Sequence, residues 1–111
     1  MTDDLDDRLA ACPALTAAFE LLGKRWTGIV LDVLAARPAR FCELQRAVPG
    51  LSERLLAERL RELAAAGLVE RVEDDGGATP YRLTAAGEGL LPALDELRRW
   101  ARGLAPTGAA Y

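Results

Sequence analysis

A chain of 111 residues, half of them apolar, suffices for one domain with a modest core, and a second independent domain is not expected. Phe, Trp and Tyr occur twice each, so the apolar residues are mainly Ala and Leu, which favours close-packed helices; two cysteines are too few for a disulfide scaffold, and the absence of histidine excludes the usual zinc constellations. The formal net charge of −3 conceals a division: Asp3, Asp4, Asp6 and Asp7 crowd the start, while residues 8–72 hold ten Lys/Arg against seven Asp/Glu, so nucleic-acid binding stays open.

The opening MTDDLDDRL is acidic where a secretory signal is basic and then apolar, and no apolar run approaches the roughly 18 residues of a membrane span. Residues 1–11 are expected to form a disordered acidic tail on a cytoplasmic protein with no membrane partner. Pro13 can open a first helix, in which Leu15, Ala18, Phe19 and Leu22 recur at the spacing of one buried face before Gly23 stops it. Trp26, Ile29, Val30, Val33 and Leu34 repeat the pattern in a second helix that ends at Arg37-Pro38. A short third helix carries Phe41, Leu44 and Val48 on one side and Glu43, Gln45 and Arg46 on the other, and Pro49-Gly50 then demands a tight turn. Beyond it Ser52 can cap a fourth helix, with Leu51 and Leu56 as a hydrophobic staple and Leu56, Leu60 and Leu63 facing the core. Gly67 can end that helix in the left-handed conformation, with Leu68 folded back onto Leu63.

LVERVE and PYRLT read as two short strands around DDGGAT, a small hairpin. Thr84 can cap a single last helix. Its stripe of Leu90, Leu94, Leu97, Ala101 and Leu104, widened by Leu91 and Trp100, exceeds what one small domain covers, which is the signature of a dimer contact. Pro92 costs that helix one backbone hydrogen bond and is expected to kink it. Residues 105–111, APTGAAY, read as a flexible tail.

Helix, helix, short helix, tight turn, helix, hairpin, helix is the order of a winged helix-turn-helix domain, mostly α with a small β-hairpin, spanning residues 12–104. Over roughly that range the chain resembles the HxlR-type transcriptional regulators, a branch close to the MarR-type proteins. The matching pieces are Cys12-Pro13, G-K-R-W at 23–26, R-F-C-E-L at 40–44, P-G-L-S at 49–52, L-R-E-L at 60–63, G-L-V-E-R at 67–71, Y-R-L-T at 81–84 and L-L-P-A-L at 90–94. Their order and spacing carry the match. The resemblance implies a homodimer on double-stranded DNA with a pseudo-palindromic operator. The fourth helix would lie in the major groove and the hairpin would act as wing. The first and last helices, through Leu15, Phe19, Leu90, Leu94, Leu97, Trp100, Ala101 and Leu104, would form the dimer contact.

On the fourth helix the core stripe leaves Ser52, Glu53, Arg54, Ala57, Glu58 and Arg61 outward. Arg54 is the candidate for a bidentate contact to guanine or a strong phosphate contact, Ser52 for a phosphate or base hydrogen bond, and Arg61 for phosphate. The plainer alternative is a solvated face with pairs such as Arg54 with Glu58. Arg40, Arg46, Lys24 and Arg25 are further phosphate candidates, against the alternative of ordinary surface charges. The hairpin tip EDDGGATP departs from the basic tips of the family: its carboxylates would be repelled by phosphate, leaving Arg71 and Arg82 as the wing contacts, and Glu58 stands where the family more often has an amide.

Cys12, just before Pro13 at a helix start, is the candidate redox or electrophile sensor, since the helix dipole there favours a thiolate; otherwise it is a small apolar anchor. Cys42 lies on another element, which argues against a Cys12–Cys42 disulfide. No nucleophile has an evident base, so neither enzymatic activity nor a metal or cofactor is expected. The expected function is that of a sequence-specific transcriptional regulator, a repressor responding to a small-molecule or redox signal. A small apolar effector could sit near Trp26, Phe19 and Trp100. The alternative is a dimeric interaction module of the same fold with weak DNA affinity.

Overall fold

The computed structural model describes residues 9–72 and 79–104. The wing tip, the last seven residues and the acidic tail up to residue 8 therefore lie outside the described residues, while residues 9–11 of that tail are exposed. Among the described residues six helices and two strands follow in the order α1 (Pro13–Leu22), α2 (Thr27–Ala36), α3 (Phe41–Ala47), α4 (Glu53–Ala65), β1 (Val69–Arg71), β2 (Tyr81–Leu83), α5 (Ala85–Gly89) and α6 (Leu91–Arg102). None of these helices is long and apolar enough to cross a membrane.

The core lies where α2, α3 and α4 meet. Val30, Leu31, Leu44, Leu56, Leu60 and Leu63 are sealed from solvent there, with Val69 and Leu83 closing it from the sheet. Leu56, Leu60 and Leu63 fall on one stripe of α4, as their spacing requires, and each contributes roughly 2 kcal/mol by burial. The Ser52 hydroxyl accepts a hydrogen bond from the Leu55 amide at 3.1 Å. Such a cap is worth about 1 kcal/mol, so packing holds α4 in place and the cap fixes where it begins. Leu51, just outside the cap, is buried with Leu56 as the staple expected of it. At the other end Gly67 takes φ +80°, its amide donating to Ala64 O and that of Leu68 to Leu63 O, both at 3.0 Å. These two bonds are a Schellman closure.

Two expectations are corrected and a third is extended. The last helix is two: α5, capped by Thr84 through the Gly87 amide at 3.1 Å, stops at Gly89, and α6 begins afresh at Leu91 with Pro92 in its first turn. A proline without an N–H is well placed where a helix starts, so Pro92 opens a helix here and does not kink one. The faces assigned to the first two helices also divide. Leu15 and Phe19 of α1 and Ile29 of α2 are exposed at 56%, 60% and 46%, while Thr27 and Leu31 take up buried positions on α2. Finally, the sheet has a third participant. β1 and β2 pair antiparallel with Val69 opposite Leu83, Glu70 opposite Arg82 and Arg71 opposite Tyr81. Ala39, in the α2–α3 connection, bonds the other edge of Tyr81 through both backbone groups at 2.8 and 2.9 Å. That bridge anchors the wing to the helix-turn-helix.

Gly87 lies buried where α5 crosses the chain leaving α4; a Cβ there would stand 2.3 Å from the Leu68 carbonyl oxygen. α6 is joined to α2 by the Arg98–Asp32 ion pair.

Candidate nucleic-acid interface

α3, the turn at Pro49-Gly50 and α4 form the helix-turn-helix, and the turn needs its glycine because Gly50 has φ +92°. With the core stripe on one side of α4, Ser52, Glu53, Arg54 and Arg61 stand exposed on the other, and Ala57 and Glu58 are half-exposed between them. Arg54 and Glu58 do not pair: Glu58 lies 3.9 Å from Arg59, and among the described residues the outward arginines Arg54 and Arg61 have no ion-pair partner. Ser52, although its oxygen is occupied by the cap, retains its hydroxyl proton to donate.

Arg40 is the N-cap residue of α3. Its amide donates to Glu43 Oε1 at 2.8 Å, while its guanidinium is exposed. Glu43 also takes Arg37 Nη2 at 3.1 Å, and these bonds, that of Arg37 foremost, hold its carboxyl below the usual carboxylate range. Arg46, in the last turn of α3, lies 3.9 Å from the Cys42 sulfur and is exposed. Arg40, Arg46, Arg54 and Arg61 thus all belong to the two helices of the motif and all open to solvent.

The strand arginines are less free. Arg82 Nε donates to Glu70 Oε2 across the hairpin at 2.8 Å, so the opposite charges of that register pair already offset each other. Arg71 lies over the Tyr81 ring, 5.2 Å from its centroid. The cross-strand alternation of LVERVE and PYRLT contained this pairing, but only the register of the hairpin reveals it.

Lys24 and Arg25, phosphate candidates by sequence, are turned to another task. Lys24 Nζ donates to Glu62 Oε2 at 3.0 Å, Arg59 Nη1 donates to Glu62 Oε1 at 3.0 Å, and Arg59 Nε donates to the Arg25 carbonyl at 3.0 Å. The Lys24 hydrogen bond, before any charge effect of Arg59, keeps the Glu62 carboxyl below its ordinary 4.5. Its depressed value means that the tie is complete above the ordinary carboxylate range and is lost only as pH falls through the lower folded value. The Arg25 guanidinium covers the Trp26 ring at 4.8 Å. Trp26 itself has φ +80°, a left-handed conformation costing about 1–3 kcal/mol for a bulky residue. The next residue, Thr27, buries a hydroxyl without a partner among the described residues, a further cost of about 1–3 kcal/mol. The sequence assigns Arg59 and Glu62 no role of their own: their i, i+3 spacing is visible in it, but the third partner of Glu62, 38 residues away, is not.

Apart from this surface, α1 and α6 fully bury no residue. Leu97 and Trp100 of α6 and Leu104 just beyond it are exposed at 45%, 64% and 50%, and Ala101 lies exposed with them. Leu90 and Leu94 are instead drawn half-buried against the core. Cys12 is the exposed N-cap residue of α1 and a free thiol, as is Cys42. Beside Cys12 is an open hollow lined by Leu15, Thr16, Phe19 and Glu20; a second lies between α1 and α5, at Ala18, Leu21, Leu22, Leu68 and Ala86. Phe19 lines the first of these, and neither tryptophan lines either, so the cluster of Trp26, Phe19 and Trp100 expected around an effector is not brought together in them.

Residues 21–108 match the family described as HxlR-like helix-turn-helix. The HTH-type transcriptional regulator YodB of Bacillus subtilis is 40% identical over 92 residues, covering 81% of this chain and 82% of its own. The solved reduced form of YodB superposes with a TM-score of 0.77 at 38% identity, over 89% of this chain and 99% of that one. Its quinone-bound form gives 0.75 at 39% identity, over 85% and 100%.

Proposed function

Because the chain belongs to the HxlR-like helix-turn-helix family and is a DNA-binding transcriptional regulator, we propose that it works as a homodimeric repressor whose two α4 helices read the half-sites of a pseudo-palindromic operator. The observation that carries this reading is the division of α4: three leucines sealed into the core on one side, and Ser52, Arg54 and Arg61 exposed at the opposite side, the two arginines without an ion-pair partner among the described residues. Arg54, in the first turn, is where a recognition helix meets base edges, and its planar fork suits guanine O6 and N7. Arg40, Arg46 and Arg61 supply phosphate contacts that fix register without reading sequence. Arg71 can add to these from the wing; Arg82 contributes less, being paired with Glu70.

A dimer is supported by α1 and α6. Leu21 and Leu22 of α1 and Leu91 and Leu94 of α6 are only partly buried against the core of their own chain, while Leu15, Phe19, Leu97, Trp100 and Leu104 stay exposed and offer an apolar face suited to a second copy. Signal reception belongs to Cys12. Its exposed thiol sits beside the apolar hollow at Leu15 and Phe19 and can add to a ring carbon of a quinone, the transferred proton ending on the quinone oxygen. The solved YodB form with a quinone bound supports electrophiles of that class as the signal.

In a mobility-shift assay on duplexes selected by the protein from a random-sequence pool, Arg54→Ala is expected to lower specific affinity about 30-fold or more, the equivalent of two lost base contacts, one per half-site, of about 1–3 kcal/mol each, and to relax preference at one base pair per half-site. An Arg54→Ala protein with unchanged sequence preference would remove α4 as the reader. In the same assay a quinone is expected to release wild type from DNA and to leave Cys12→Ser bound; equal release of both would exclude Cys12 as the sensor.

A further inference from the structure

The loop between α1 and α2 holds α4 at two places. At the entry to the helix, the edge of the Trp26 ring lies 3.7 Å from the position a Cβ on Gly50 would occupy, in the turn that delivers Leu51 and Ser52. Two turns further on, Arg59 reaches the Arg25 carbonyl and Glu62 receives Lys24. Arg59 and Glu62 lie on a flank of α4, between the buried stripe and the outward arginines, and the Arg59 side chain is 12% exposed. From this arrangement we infer that Arg59 and Glu62 are positioning residues through which the loop Lys24–Trp26 sets the placement of the α4 reading face, and through which a displacement of α1 reaches the DNA contact.

The physical grounds are three. Leucine packing is non-directional, so the core stripe fixes which side of α4 faces inward but tolerates small slides and tilts; hydrogen bonds to a carbonyl and between charged forks are directional and define the remaining freedom. The loop is the immediate continuation of α1, whose last turn closes with the Gly23 amide on Phe19 O at 2.7 Å, so movement of the helix that begins at Cys12 acts directly on Lys24 and Arg25. The loop is also under local cost, with Trp26 in the left-handed region and the Thr27 hydroxyl unpartnered among the described residues, so its observed form depends on the ties that hold it. The Lys24–Glu62 pair is half exposed and adds little to global stability; what it controls is relative position.

This inference rests on α4 being the reading helix, and the experiment separates the two. Wild type, Glu62→Ala, Arg59→Lys and Arg54→Ala are titrated against a fluorescein-labelled duplex selected by the wild type and against a duplex of unrelated sequence, with folding checked by thermal unfolding. Removing the Glu62 carboxylate by simple electrostatics would tighten binding to both duplexes. Mispositioning instead is expected to weaken the selected duplex about tenfold, the scale of one poorly met base pair, while the unrelated duplex changes no more than about twofold. Arg59→Lys, which keeps the charge and loses the fork, is expected to do the same. If both variants bind the selected duplex as wild type does while Arg54→Ala loses its preference, the positioning role is overturned and the reading helix stands. Equal weakening on both duplexes also overturns it. If Arg54→Ala keeps the preference, the assignment of α4 itself fails.

Discussion

The Leu97→Asp protein is expected to sediment as a monomer at micromolar concentration where wild type sediments as a dimer. Leu97 is 45% exposed in the single chain, on the same helix as Trp100 and with Leu104 just beyond the end of that helix, and α6 contributes no fully buried residue to its own domain. A carboxylate there costs the isolated chain almost nothing, because the position is already wet, but in a closed interface it would be an unpaired buried charge. Folding and dimerisation are thereby separated: thermal unfolding extrapolated to low protein concentration should barely change, while association is lost. DNA binding follows association. Two linked reading helices gain about 10²–10⁴ in affinity over one, so the monomer is expected to lose a factor of that order on a palindromic duplex and little on a single half-site. A wild-type monomer at these concentrations, or a Leu97→Asp dimer, would move the interface elsewhere.

Gly87→Ala is expected to be the most destabilising single methyl in the described residues. The new Cβ would meet the Leu68 carbonyl oxygen at 2.3 Å and the Leu83 Cβ at 3.3 Å. The first of these is backbone, and its oxygen already accepts the Thr84 amide at 3.0 Å, so the carbonyl cannot turn away without breaking the bond that seats α5. Overpacking against an immovable group costs about 3 kcal/mol. For a domain of this size that lowers the unfolding midpoint by roughly 15 °C. Thermal unfolding followed by circular dichroism measures it; a midpoint within a few degrees of wild type would mean that α5 is not packed as described.

What could be read from residues alone is what is decided locally. The α4 stripe, the Ser52 cap, the staple of Leu51 and Leu56 and the closure at Gly67 each involve residues within seven positions of one another, and each is present as its spacing requires. Local reading failed where tertiary partners decide. Gly89 and Pro92 divide the final helix, because an apolar stripe continues across a break that backbone hydrogen bonds cannot bridge. Ala39 is a one-residue bridge, too short to show any alternation. Leu15, Phe19 and Ile29 have the spacing of core residues and stay exposed because the single chain offers them no cover. Of the candidate DNA contacts, the outward set on α4 was legible from the period of the helix. The engagement of Lys24 by Glu62, and of Arg82 by Glu70, was not, since each depends on a partner brought up by the fold. Such pairs change how much charge remains for DNA, which matters in a chain whose formal total is −3.

The most direct measurement is the salt dependence of wild-type binding to its selected palindromic duplex. Arg40, Arg46 and Arg61 are exposed on α3 and α4, and the proposed dimer would make three phosphate contacts per protomer with them, six in all. The expected plot of log K against log salt is a line of slope about −5, with sequence preference retained along it. A slope near zero, or no specific complex even at low salt, would contradict a dimer that reads DNA through α4.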